Sequence, residues 1–464
     1  MIKNSDRFIF ILFSIIFLFI YLNILNYPKI WDDAEYLRLS SFDLNGVWDS
    51  VLNNFQQRNW PLSRNYFVFV EHVLGGNIHV YHMMNILFHF LNSILVFCIL
   101  KKWTVKNVYI ICTIFLIHPL EAFTIIPMIQ FKTILSCTFV LISILFYNNF
   151  FKTKNKWSFA LSVVFYFLSI KTKSSFVFLP LLIPTFAFLY ERKKFKEHLK
   201  AFFPFSVIML YAVYSLVFTG GLSKSSLSVN QVTDLAGSSL QGNFSFRISL
   251  IIHSLEHYMF SFFTFWDLSP IYGRFKVNLS WDLFRGLLYL VSFLIMFLKG
   301  NQKIKLGIVA FFLIIAPVLG VVYAPYMGMS PYADQHQYLS VVVLACITVY
   351  CLNALFREVL IRKMVLISLL VVFSYSSYLY SKSYKSKVAF YSHVILTKPT
   401  SLTGYVNLAN LLNEQSQFDK AYKILKSIIE GEDNFTQGEL LFIEVQKDII
   451  RRNIEMKKTL QQRT

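Results

Sequence analysis

The sequence predicts an all-α, polytopic membrane helix bundle, and three observations predict it. Of 464 residues 56% are hydrophobic and mean hydropathy is +0.53, a balance that belongs to lipid-embedded chains. Apolar runs recur as far as Tyr380, several of them long enough, at ~1.5 Å rise per residue, to cover a ~30 Å hydrocarbon layer. Short basic clusters occupy alternate loops: Lys101, Lys102 and Lys106; Lys152, Lys154 and Lys156; Arg192, Lys193, Lys194 and Lys196; Lys299, Lys303 and Lys305; Arg357, Arg362 and Lys363. Positive charge in alternate loops marks a cytoplasmic side. The net charge of +19 is therefore spread between spans, which excludes nucleic acid as a partner.

Residues 8–25 carry no charge and exceed a signal-peptide core in length, with no small-residue cleavage site after them, so they read as a retained anchor. Lys3 and Arg7 place the N-terminus in the cytoplasm. Further spans follow at about 81–100, 108–117, 133–150, 157–170, 176–190, 202–218, 283–298, 304–323, 339–356 and 364–380, giving about 11 spans and an external C-terminal tail. Residues 246–265 do not fit the alternation, because external loops flank them on both sides. They are expected to form a re-entrant or steeply buried helix lining a cavity. All five cysteines fall inside predicted spans and read as small apolar packing residues.

The chain divides into a membrane domain, 1–383, and a tail, 384–464. Residues 404–430, GYVNLANLLNEQSQFDKAYKILKSIIE, have the spacing of a helical hairpin, with Leu408, Ala409, Leu412, Ala421 and Leu425 at its packing positions. A third helix is expected over 437–456. So small a unit buries little core alone and must dock.

Chemistry-bearing residues collect in the external segments. PKIWDDAEY puts Asp32 and Asp33 just beyond the first span, where carboxylates serve as a general base or a cation site, or are merely solvated. YHMMNILFH sets His82, Asn85 and His89 on one helical face, which is either a polar packing seam or part of a site. HPLEAF stops a helix at Pro119 and leaves Glu121 exposed near the surface. KTKSS carries Lys171 and Lys173 against the charge trend, as phosphate ligands or as snorkelling helix-end lysines. Arg247, His253, Glu256 and His257 lie in the re-entrant segment. Asp334, in YADQHQYL, closes the site or caps the next helix.

Taken in order, WDDAEY, RNWPLS, YHMMNILFH, HPLEAFTIIPMIQFK, SIKTKSSFVFLPLL, the Arg247-containing helix and YADQHQYL resemble integral-membrane glycosyltransferases of the GT-C type. Within these the chain resembles the transmembrane and tetratricopeptide-repeat O-mannosyltransferases, whose repeats residues 404–430 also resemble. The resemblance covers most of the chain, with departures. Trp60 and Gln335 stand where that family has arginine, with Arg58, Arg64 and Arg274 as candidate substitutes, and the tail is short.

The resemblance implies a GT-C bundle that moves mannose or a similar hexose, with inversion, from a polyprenyl phosphate sugar donor to a protein or glycan acceptor at the exoplasmic face. It implies Asp32 as base, with Asp33 and Glu121 assisting. Lys171, Lys173 and Arg247 are implied as phosphate ligands, and Arg64, His82, His253, His257 and Asp334 as substrate contacts. A divalent cation, Mg or Mn, is an optional cofactor, membrane lipid is the surrounding partner, and a bacterial inner membrane is the expected location. A lipid-linked glycan ligase or polymerase, a transporter and a non-catalytic scaffold are the alternatives.

Overall fold

The computed structural model describes residues 4–33, 60–218, 244–321, 325–328, 330–429 and 437–463, together with Leu37, Asp49 and Val51. Arg58 and most of the polar loop between 218 and 244 lie outside the described residues. Among the described residues the chain is helical with no strand. Six helices are long and apolar enough to cross a membrane, or seven if one bent pair counts as a single span, so the chain is a membrane protein by length and composition.

The helices are α1 (Asn4–Leu22), α2 (Pro61–Val73), α3 (Ile78–Lys102), α4 (Val108–Ile117), α5 (Phe131–Thr153), α6 (Lys156–Thr172), α7 (Leu182–Tyr190) and α8 (Phe195–Phe218). Then come α9 (Phe244–Phe260), α10 (Leu279–Lys299), α11 (Gln302–Ile315), α12 (Ser340–Leu355), α13 (Val359–Lys382), α14 (Lys387–Thr397), α15 (Leu402–Glu414), α16 (Phe418–Ile429) and α17 (Gln437–Arg463). Asparagine starts four of them. Asn77, Asn155, Asn278 and Asn301 each accept from a backbone N–H of the first turn, satisfying a donor the helix leaves over. Proline stops or breaks others. Pro119 ends α4, and the chain turns 47° into Pro119–Ile125. Pro180 replaces the continuous span expected over 176–190 with short 3-10 turns leading into α7.

Contacts between termini sort the connections onto two ends. At one end Trp103 meets Asn148, Asn107 meets Asn353, Lys154 meets Glu197, and Asn301 meets Tyr350. This basic end carries the lysine and arginine clusters. At the other end His79 Nδ1 bonds the Leu25 carbonyl at 2.7 Å, Ile129 N–H reaches Asp33, and Ser377 Oγ bonds the Ile117 carbonyl. This acidic end carries the segments 27–33, 118–130, 172–176 and 332–338.

A buried polar seam fixes α3 against its neighbours. Asn85 donates to the carbonyls of Ile125 and Pro127, both at 2.9 Å. His89 lies between Tyr338 Oη and the Leu116 carbonyl, and Asn92 donates to Ile134 and Tyr338 while accepting from Thr138. In lipid, where no water competes, such bonds set helix register.

The tail is seated on the acidic end. Phe390 and Val394 of α14 are fully buried in the same apolar cluster as the bundle, and Trp31 rests on Phe390 and Tyr391 at 6.3 and 6.4 Å. Leu408, Ala409 and Leu412 of α15 and Ala421 and Leu425 of α16 are buried between those two helices and their neighbours.

Candidate functional site

Asp33 is held by the fold. Its Oδ2 accepts from Ile30 N–H at 2.9 Å and its Oδ1 from Ile129 N–H at 3.0 Å, joining the loop after α1 to the turn before α5. Burial pushes its carboxyl up to about 7, and the charge of Asp32 adds to this, against the N–H groups of Ile30, Ile129 and Met128 that pull it down. Asp33, expected to assist Asp32, thus ties its own loop to the turn before α5 through both carboxylate oxygens.

Trp31, just before, adopts φ 55°, a left-handed conformation uncommon for a side chain of its size. Asp32 is half-buried and faces α14, where burial and then its negative charge raise the Tyr391 hydroxyl above the ordinary value. His82 supports the same loop by bonding the Tyr27 carbonyl at 3.2 Å, so it positions the segment rather than facing a ligand.

Glu121 departs from expectation. HPLEAF turns inward because His118 accepts from Leu120 N–H through Nδ1 and bonds the Phe262 carbonyl through Nε2 at 3.1 Å, its ring flat on Phe262. Glu121 is thereby 0% exposed, not surface-facing, and neither of its carboxylate oxygens has a hydrogen-bond partner among the described residues. Asp334 lies within its electrostatic reach.

Asp334 does not cap α12. Its Oδ1 accepts from Tyr272 Oη at 2.8 Å and pairs with His257 Nε2 at 3.1 Å, while its Oδ2 is buried without a hydrogen-bond partner among the described residues. Two residues on, burial and then the positive charge of Lys173 and Lys132 drive the His336 imidazole well below its ordinary value. The turn Asp334–Gln337 thus carries Asp334, within reach of Glu121, and His336, within reach of Lys173 and Lys132.

The two lysines of KTKSS part company. Lys171, in the last turn of α6, points outward, its Nζ 3.1 Å from Tyr211 Oη and over the Phe167 and Tyr211 rings. Lys173, one residue past the helix in extended backbone, is 6% exposed and donates to Thr133 Oγ1 at 2.7 Å. Lys171 thus points away from the buried acids, whereas Lys173 and Lys132 both lie within electrostatic reach of His336. Trp60 donates Nε1–H to Ser174 Oγ at 3.1 Å, and half-buried Arg64 follows one turn further along α2.

Helix α9 and its return leg build a second wall. α9 runs in the same direction as α10, with Ile252 against Gly286 and Phe260 near Tyr289, so the chain must double back through 261–278 to begin α10. Half-buried Arg247 lies near its start, ~9 Å of helix rise before His253. His253 stacks on Phe275 and pairs with Asp282 at 3.3 Å. Arg285 joins Asp282 to Glu256. The return leg is pinned by His393 Nε2 on the Leu268 carbonyl at 3.0 Å and by Lys398 on Asp267 at 2.6 Å. At Gly273 a Cβ would lie 2.1 Å from Thr400 Oγ1, so only glycine passes there.

Between α9, the return leg, Arg285, Tyr332 and Lys398 lies a cavity of about 380 Å³. Helix α14 separates it from the acid loop, Tyr391 towards Asp32 and His393 towards Leu268. Arg285, Asp282, Tyr272, Tyr332 and Lys398 were not among the sequence candidates. The available signal was Asp282 and Arg285 three apart in the first turns of an otherwise apolar helix.

Among the described residues no group of three or more His, Cys, Asp or Glu side chains is arranged to hold a metal ion. Neither a protein-family model nor a curated protein sequence matches the chain.

Proposed function

We propose that the chain is a membrane glycosyltransferase of the GT-C type, moving a hexose such as mannose from a polyprenyl phosphate to an acceptor hydroxyl outside the cytoplasm. The observation that carries this reading is the segregation of chemistry. Asp32, Glu121, Asp334, His257, Lys132 and Lys173 gather at the end opposite the solvated basic loops. By the positive-inside rule the acidic end is exoplasmic, which puts the N-terminus in the cytoplasm, the tail outside, and eleven crossings between them.

Inverting transfer needs a base on one side of the anomeric carbon and support for the leaving phosphate on the other. Asp32 takes the acceptor proton as the acceptor oxygen bonds to the anomeric carbon. The bond from that carbon to the phosphate oxygen breaks, and its electron pair leaves with the phosphate, which Lys173 and Lys132 steady. Asp33 and His82 hold the Asp32 loop in place.

The test is Asp32→Ala in a strain lacking the native gene, read by mass spectrometry of envelope glycolipids and proteins. Transfer should fall ~100-fold or more. Unchanged products would remove Asp32 and the catalytic reading with it.

A further inference from the structure

We infer that the cavity between α9, the return leg and Arg285 holds the headgroup of a membrane lipid that carries an ammonium group and a phosphate together, its acyl chains remaining in the bilayer. Helix α14 stands between this cavity and Asp32, so the lipid site is separate from the sugar-transfer reading and does not rest on it. Depth, rim and charge each point to such a ligand.

The cavity lies at the level of lipid. Arg285, in its wall, sits ~9 Å of rise into α10, one of the six helices long and apolar enough to cross a membrane. Around that level α10 turns Leu283, Phe284, Leu287 and Leu288 outward, each about half exposed. In a span such side chains face hydrocarbon, so the bilayer is the direct route to Arg285. Ionisable groups at membrane depth are costly to keep and mark a site.

The rim is that of a site for an amphiphile. Phe260, Phe263 and Trp266 are exposed, and the residue after each of them, Ser261, Thr264 and Asp267, lines the cavity. The return leg thus sets an aromatic lip around a polar interior. Such side chains rest where headgroup meets hydrocarbon, with the polar part of a lipid on one side and its chains on the other. A water-soluble ligand would gain nothing from the lip.

The wall carries both signs of charge. Glu256 pairs with Arg285, and Asp267 with Lys398 at 2.6 Å. A lone phosphate would be faced by Glu256 and Asp267, and a lone ammonium group by Arg285 and Lys398. A headgroup with both can open the outer pair and replace it with two of the same kind, Lys398 to phosphate and Asp267 to ammonium. Asp282, on Arg285 at 2.5 Å, tips the balance towards the acids and disfavours a headgroup that is anionic overall.

The experiment strips the full-length protein of lipid in detergent and titrates it with dioleoyl phosphatidylethanolamine and dioleoyl phosphatidylglycerol, counting bound lipid by native mass spectrometry. The ethanolamine lipid should bind saturably and ~10-fold more tightly than the glycerol lipid. Asp267→Lys, a reversal at an exposed position, should invert that preference, and Asp267→Asn should abolish it. Trp266→Ser should weaken both lipids ~3- to 10-fold. Melting temperatures without lipid show which variants fold, and Asp267→Asn carries the test if the reversal does not. Equal binding of the two lipids, or a preference that neither Asp267 variant alters, overturns the inference. Displacement by soluble phosphoethanolamine at the same concentration overturns it in favour of a free zwitterion, and displacement by farnesyl phosphate in favour of an anionic carrier.

Discussion

At the basic end Lys154 and Glu197 meet at 2.9 Å with side chains 57% and 58% exposed, whereas at the acidic end Asp33, Glu121 and Asp334 are each at most 1% exposed. The first arrangement costs little to make and is worth little, since water screens both partners. The second takes carboxylates out of water, which folding alone would select against unless every oxygen found a partner. Among the described residues Asp33 finds two N–H groups, Glu121 finds no hydrogen-bond partner, and Asp334 leaves one oxygen over. Charge at the basic end is thus cheap to keep, while charge at the acidic end is kept despite its cost.

The test that would break this comparison outright is of sidedness. After replacement of the native cysteines by serine, Gln415→Cys in the tail should react with a membrane-impermeant maleimide in intact cells, and Lys193→Cys only after permeabilisation. The reverse pattern would put the acids in the cytoplasm.

The next largest effect is expected at the clasp. Asp33→Ala leaves the Ile30 and Ile129 N–H groups without acceptors and should cost ~2–4 kcal/mol, seen as a lower melting temperature together with lost transfer. Its pH dependence has a definite sign. The folded carboxyl is raised from 3.8 to about 7, so its stabilising contribution is complete below 3.8 and is lost as pH rises through about 7. The wild-type melting temperature should therefore fall across that window relative to Asp33→Asn, which lacks the titration.

Glu121→Gln sharpens the contrast from the other direction. Removing a buried charge with no partner should leave stability unchanged or raise it by ~1 kcal/mol while transfer drops ~10-fold or more. A loss of both would mark Glu121 as structural. The smallest effects belong to outward charges: Lys171→Ala should leave transfer and melting as they are, and the same change at Lys173 should not.

Much of the scaffold was legible. The loops carrying Lys152 to Lys156 and Arg192 to Lys196 lie at one end because charge alternation reports which side of lipid a loop occupies. The run 246–265 was readable as doubling back, since flanking external loops leave no room for a single crossing. The finer site was less legible. Lys171 and Lys173 are two positions apart and differ in sequence by nothing that says where α6 ends, yet the extended backbone at Lys173 decides which ammonium group is buried. Glu121 reads as a surface acid until His118 and Phe262 are seen to turn HPLEAF inward. Asp282 and Arg285 were hidden at the edge of an apolar run that drew attention to its hydrophobicity alone.

The seat of Trp31 on Phe390 and Tyr391 bears on biogenesis. The loop that presents Asp32 is among the earliest parts of the chain to be synthesised, and its support is among the latest. Until the ribosome has delivered α14, Trp31 has no platform on which to hold its unfavourable backbone angle, and Asp32 has no fixed direction. Partly inserted chains would carry the carboxylate without its geometry, so the loop after α1 reaches its final form only when the last third of the chain has been made.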